Sequence, residues 1–171
     1  MQRSIRFVPL FCLLTASLLW PLRSAHAQFE VTYSQPTYLD RQYMSQQRTG
    51  INELAANNTG QRFSGMASRD IALMQRLLDQ GIVTPTMTRE LQALGIVLGD
   101  LLAKELQMDW VIFEDEVGRS RALRFGDSES LLFPVTMLAR RKEGGGRTDV
   151  QEIYDSAVAM ALAEREPLPF Q

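Results

Sequence analysis

Three consecutive acids, Glu114-Asp115-Glu116, follow Trp110 by a few positions and precede Arg119 and Arg121. These six residues form the candidate binding site. Grouped carboxylates can hold a cation or a basic peptide, or act as acid and base where burial raises a pKa. Trp110 can stack on a sugar or fill a core. A strand imposes a limit, because alternate residues face opposite sides. Trp110, Ile112 and Glu114 share one side; Val111, Phe113 and Asp115 share the other. At most two of the acids therefore point together, and a two-carboxylate glycosidase needs a fixed pair and a sugar cleft. The competing reading is a solvated turn at a strand end, partly neutralised by Arg119, Arg121 or Arg124. A second charged group, Arg140-Arg141-Lys142, suits an anionic lipid head or a phosphate, or simply a helix C-terminus, where cations complement the dipole.

The only cysteine, Cys12, and the only histidine, His26, lie within the first 27 residues. That segment reads as a secretory signal: Arg3 and Arg6, an apolar run from Phe7 to Leu22, then Ala25-His26-Ala27 as the peptidase site. The run is short for a membrane span and holds Pro9, Thr15, Ser17 and Pro21, so no anchor is expected after cleavage. Cys12 sits inside the run, not at a lipoprotein cleavage point. Removing 27 of 171 residues leaves 144, and losing Arg3, Arg6 and Arg23 with no acid takes the formal net charge from −2 to −5. The expected location is the periplasm or the exterior of a bacterial cell.

A mature chain without thiol or imidazole has no Ser-His-Asp triad, no Cys–His pair and no common zinc site. It has no P-loop, EF-hand or dinucleotide turn. Ser–Lys chemistry has only Lys104 and Lys142 to draw on, neither in an S-x-x-K motif. No catalytic residue, metal or cofactor is assigned, although all-carboxylate calcium or magnesium binding stays open. Acidity and export argue against nucleic acid as a partner.

The elements that must position these residues are legible in outline. Residues 28–36 read as a mobile leader, in which Phe29, Val31 and Tyr33 alternate as a short edge strand would. A single domain over 37–166 follows. Thr37 or Asp40 caps a first helix to about Ala56, with Leu39, Tyr43, Ile51, Leu54 and Ala55 apolar. A second runs from about Ser68 to Gln80, with Ile71, Met74, Leu77 and Leu78 on one face. A third is capped by Thr84, starts at Pro85 and carries Leu91, Leu94, Leu98, Leu101, Leu102 and Leu106. Gly95, Gly99 and Ala103 give that helix a smooth stripe suited to close backbone packing, or to a ligand.

Trp110–Phe113 reads as a buried strand, Glu114–Gly118 as a turn, Arg121–Phe125 as the return strand and Ser130–Phe133 as a third strand stopped by Pro134. A short helix over Thr136–Lys142 ends at Gly144-Gly145-Gly146. The last helix begins near a capping box at Thr148–Gln151 and closes at Pro167. The class is α+β, with several helices packed around a small three-stranded antiparallel sheet.

Leu77-Leu78-Asp79, Glu90-Leu91-Gln92-Ala93-Leu94-Gly95 and Gly99-Asp100-Leu101-Leu102-Ala103 come in series. Trp110, Glu114-Asp115-Glu116-Val117-Gly118-Arg119, Ala122-Leu123, Phe133-Pro134, Arg140-Arg141 and Ile153-Tyr154 follow. In order and spacing, residues 72–155 resemble the bacterial family catalogued as domain of unknown function 3806, with a family-like core over about 68–164. The resemblance implies a small α+β domain and no particular reaction. Two functions fit these observations. One is a non-catalytic envelope module that binds another envelope protein or a ligand. The other is a carboxylate-dependent hydrolase using Glu114, Asp115 or Glu116. N-terminal sequencing of exported protein is expected to start at Gln28; an intact residue 1 on a membrane-bound form would contradict the cleavage site.

Overall fold

The computed structural model describes residues 30–143 and 148–164, with the side chains of Lys142 and Glu143 left out. The signal segment with Cys12 and His26, the Gly144–Gly146 run and Pro167 lie outside the described residues. The chain folds as β1 (Thr32–Ser34), α1 (Tyr38–Thr59), α2 (Ala67–Asp79), α3 (Thr88–Leu106), β2 (Asp109–Asp115), β3 (Gly118–Arg124), β4 (Leu131–Leu132), α4 (Pro134–Glu143) and α5 (Val150–Ala163). The sheet has the order β1-β2-β3-β4 and every neighbouring pair is antiparallel. The class is α+β. The sheet has four strands where three were expected, because Thr32–Ser34 pairs with Ile112–Glu114.

α3 lies at the centre. Leu91, Leu94, Ile96, Leu98 and Leu102 are at most 1% exposed, so it is buried on nearly all sides. α4, α1 and α5 pack against it. The glycine stripe is what admits α4. A Cβ at Gly95 would lie 2.6 Å from the Pro134 carbonyl oxygen and 2.7 Å from that of Val135. A Cβ at Gly99 would fall on the Trp110 indole and 3.0 Å from the Pro134 ring. At Gly95 and Gly99 the stripe is thus filled from within the domain.

Several boundaries differ from the sequence expectation for local reasons. α3 starts at Thr88, not near Thr84: the Met87 amide closes a turn onto the Thr84 carbonyl at 3.1 Å, and the buried Val83 anchors that turn. Pro134 does not merely stop a strand; it is the first residue of α4, where the absent N–H costs nothing. α5 is capped by Asp149, whose carboxylate accepts from the Glu152 amide, and not by Thr148. Glu114 and Asp115 belong to β2, and the reversal is a two-residue turn at Glu116-Val117. Gly118, at φ 137°, supplies the backbone freedom that turn requires. In α1 the buried stripe is Asp40, Met44, Gln47, Ile51 and Ala55, whereas Leu39 is 72% exposed. Two polar residues in the stripe explain its patchy hydrophobic pattern.

The glycines provide a paired test. Gly95→Ala is expected to destabilise by about 1–3 kcal/mol, the scale of overpacking against backbone, despite better helix propensity. Gly50→Ala in α1 meets nothing within 4 Å and is expected to stabilise by roughly 0.5–1 kcal/mol. Leu98→Ala is expected to cost about 2–5 kcal/mol. Denaturant melts of the three variants decide; a neutral Gly95→Ala would contradict the close α3–α4 approach.

Candidate functional site

The site is built on α1 and β3. Thr37 caps α1: its hydroxyl oxygen accepts from the Asp40 amide at 3.2 Å, while its own amide and hydroxyl donate to Asp40 Oδ2 at 3.0 and 2.6 Å. This reciprocal box fixes the Asp40 rotamer. Two arginines then reach the same carboxylate from β3. Arg119 donates from Nη1 to Oδ1 at 2.8 Å and from Nη2 to Oδ2 at 2.6 Å; Arg121 donates from Nη2 to Oδ1 at 3.1 Å. The period of two puts both arginines on one side of β3, opposite Glu114 and Ile112 in the ladder. One helical turn beyond Asp40, the Tyr43 ring lies under the Arg121 guanidinium at 4.3 Å.

The Asp40 side chain is 4% exposed, those of Arg119 and Arg121 41% and 26%. Hydrogen bonding by Arg119 holds the Asp40 carboxyl far below the usual carboxylate range; burial opposes this, and the Thr37 hydroxyl and amide add to it. The same hydrogen bond raises Arg119 further. The Asp40 carboxylate is therefore ionised at neutral pH with its oxygens already engaged, which suits holding two arginines in place and not proton transfer.

The six expected site residues separate into groups. Arg119 and Arg121 converge on Asp40. Glu114 is exposed, beside Arg119 on the same face. Asp115 accepts the Val117 and Gly118 amides on Oδ1 at 2.9 and 3.0 Å and so builds the turn. Glu116 is exposed in that turn. Trp110 stands four residues from Glu114 along β2, on the order of 13 Å at strand rise. Its indole packs on Gly99, and Nε1 donates at 3.0 Å to Asp100, which also holds Arg48 at 2.6 Å. Among the described residues no group of three or more His, Cys, Asp or Glu could hold a metal ion.

Two clefts flank β3. One, of about 200 Å³, lies between Tyr43, Gln92 and Thr136. The other, of about 320 Å³, lies against Phe113 and Val117. Arg119, Ser120, Phe133 and Arg140 border both. Arg140 is exposed and makes no ion pair with the described residues. Sequence reasoning did not find Asp40, Tyr43 or Asp100 as site residues. The T-x-x-D pattern at Thr37–Asp40 signals the cap, but nothing in it signals a partner 79 positions away.

A family model described as a domain of unknown function, DUF3806, matches residues 70–154. The chain belongs to this family. The DUF3806 segment runs from Asp70 in α2 to Tyr154 in α5; it contains Arg119, Arg121 and Arg140, while Asp40 and β1 lie before it. The fold is similar to that in a 1.50 Å crystal structure from Bacteroides thetaiotaomicron VPI-5482, with a TM-score of 0.68 at 17% identity. That match covers 77% of this chain and 48% of the other, so the chain spans about half the length of the structure it resembles. No curated protein matches the chain.

The Asp40 cluster makes a pH prediction. A carboxyl with a depressed folded-state pKa contributes stability that is fully present above its unfolded value, near pH 4, and lost as pH falls through the folded value. Asp40→Asn keeps an acceptor at the cap but removes the charge. It is expected to cost about 1.5–3 kcal/mol at neutral pH, the scale of hydrogen bonds to a charged group. It is also expected to flatten part of the stability loss below about pH 4. Melts of wild type and variant from neutral to acid pH check this; parallel curves would contradict it.

Proposed function

We propose that this DUF3806 protein is an exported, non-catalytic module that binds another protein of the cell envelope through the β3 side of its hairpin. The observation that supports this most is how the charges are used. In the strongest ionic cluster, Asp40 with Arg119 and Arg121, the carboxylate is saturated and serves to hold the two arginines. Of the acidic run, Asp115 is a turn former and Glu114 and Glu116 are exposed. Acid–base hydrolysis by a carboxylate pair needs two carboxylates facing one cleft; Asp115 points with the opposite strand face from Glu114. The hairpin displays parts of the Arg119 and Arg121 side chains beside the exposed Glu114, on the kind of rigid-supported element that usually carries binding residues.

Export is supported by the sequence pattern of residues 1–27. No helix among the described residues is long and apolar enough to cross a membrane. The test is capture from envelope extract by the immobilised exported protein, with mass spectrometry of what is retained. A stoichiometric protein partner, released by salt, is the expected result. Hydrolysis of a glycan or peptide that stops on joint Glu114→Gln, Asp115→Asn and Glu116→Gln substitution would replace this reading with the hydrolase. That triple variant is expected to melt within about 0.5 kcal/mol of wild type, the range of surface substitutions, because asparagine still offers Oδ1 to the turn amides.

A further inference from the structure

We infer that the outer edge of β3 takes an extended, acidic segment of a partner protein, which adds a strand along Gly118–Arg121. This deepens the reading of the protein as a binding module and rests on it. β2 pairs with β3 over all of Gly118–Arg124, but β4 pairs only with Leu123 and Arg124. The chain then turns away into α4 at Pro134. The first half of β3 therefore has strand pairing on one side only, and Ser120 at its middle is exposed. Such an edge offers a row of backbone donors and acceptors to another strand.

The two clefts lie along this edge and share Arg119, Ser120 and Arg140 in their walls. An added strand would send alternate side chains into each, the usual source of specificity in strand addition. The charge selects acidic side chains. Arg119 and Arg140 border both clefts and Arg121 one of them. The acids nearby are Asp40 and Asp115, both engaged in internal hydrogen bonds, and the exposed Glu114 beside Arg119, so cations outnumber the one free acid. The Arg119 and Arg121 side chains stay 41% and 26% exposed, which leaves part of each open to a further acceptor. A second copy of this chain fits poorly. Pairing the edge antiparallel with itself about Ser120 would set Arg119 against a copy of Arg121, and like charges directly opposite destabilise. A lone phosphate would satisfy the guanidinium groups but make no use of the strand edge.

The test uses the exported protein and a fluorescein-labelled peptide of alternating glutamate and valine, followed by anisotropy and by backbone amide NMR shifts. The matched controls are the alternating lysine–valine peptide, the acidic peptide N-methylated at every second residue, and inorganic phosphate. Saturable binding of the acidic peptide with shifts centred on Arg119–Arg121 and Thr136 is expected. It should weaken about tenfold in Arg140→Glu, with the melt of that variant unchanged, and weaken as salt rises. N-methylation should abolish it. No binding, shifts elsewhere, or equal binding of the N-methylated peptide would overturn the inference. So would phosphate alone reproducing the shifts, which would make this an anion site, or shifts that grow with protein concentration, which would make the occupant a second copy. If Arg140→Glu captures the envelope partner as well as wild type does and the peptide fails to displace it, the groove assignment falls while the module reading stands. Capture of nothing by wild type brings down the module reading itself.

Discussion

Two missing side chains on α3 set the geometry of this protein. At Gly95 the backbone of Pro134 and Val135 comes closer than a methyl group would allow, and at Gly99 the Trp110 ring and Pro134 occupy the space. Glycine within a helix costs up to about 1 kcal/mol relative to alanine. Here the cost is offset by contact between two helices and a strand that otherwise could not approach. α4 and β2 are thereby seated on the same face of α3, one turn apart. The hairpin then extends from that seat, with Trp110 tied by hydrogen bond to Asp100 of α3 itself.

On the face toward α1 the far end of the hairpin is held by charge, while on the other face Phe113 packs against Tyr33 and Phe133. Ile112 and Leu123 are buried, but toward the turn the same sheet face changes to Glu114, Arg119 and Arg121. Asp40 meets them from α1 with its two oxygens accepting five hydrogen bonds in all. A buried carboxylate is costly unless paired and hydrogen-bonded, and here each condition is met. The arrangement locks the arginine side chains while leaving part of each guanidinium in solvent. A similar division appears at Asp70, 1% exposed, whose carboxylate accepts the Ser64 and Gly65 amides and shapes the loop before α2. Buried acids in this fold organise backbone and arginines.

Together these features place a short, half-open strand edge between two clefts on a rigid support. The sheet is narrow because β4 is two residues long and the chain leaves it at once for α4. The same proline that begins α4 packs on Gly99, so the departure from the sheet and the seating of α4 are one event. Arginines along such an edge guard against pairing between identical copies while attracting an oppositely charged strand.

Much of this was legible in the residues. The α+β class, the leucine face of α3, the apolar face of α2 and the close-packing role of Gly95 and Gly99 follow from local periodicity and side-chain size, which act over a few residues. The resemblance over residues 72–155 rests on the order of such local words, and the family match covers 70–154. What local pattern did not contain was partnership. The acidic run drew attention because three carboxylates are adjacent in sequence, yet adjacency in a strand separates them onto two faces, and one of them serves a turn. The decisive acid, Asp40, has the local pattern of an ordinary cap residue, and the alternation in residues 28–36 signals a short edge strand without signalling its partner, β2. Helix periodicity is decided by neighbours along the chain, so the sequence alone determined the buried faces of α2 and α3, while it placed the start of α3, the cap of α5 and the hairpin turn only to within a few residues. The Asp40–Arg119–Arg121 cluster joins residues about 80 positions apart, and only the packing of α1 and β3 around α3 decided it, because a contact at that separation depends on every element between.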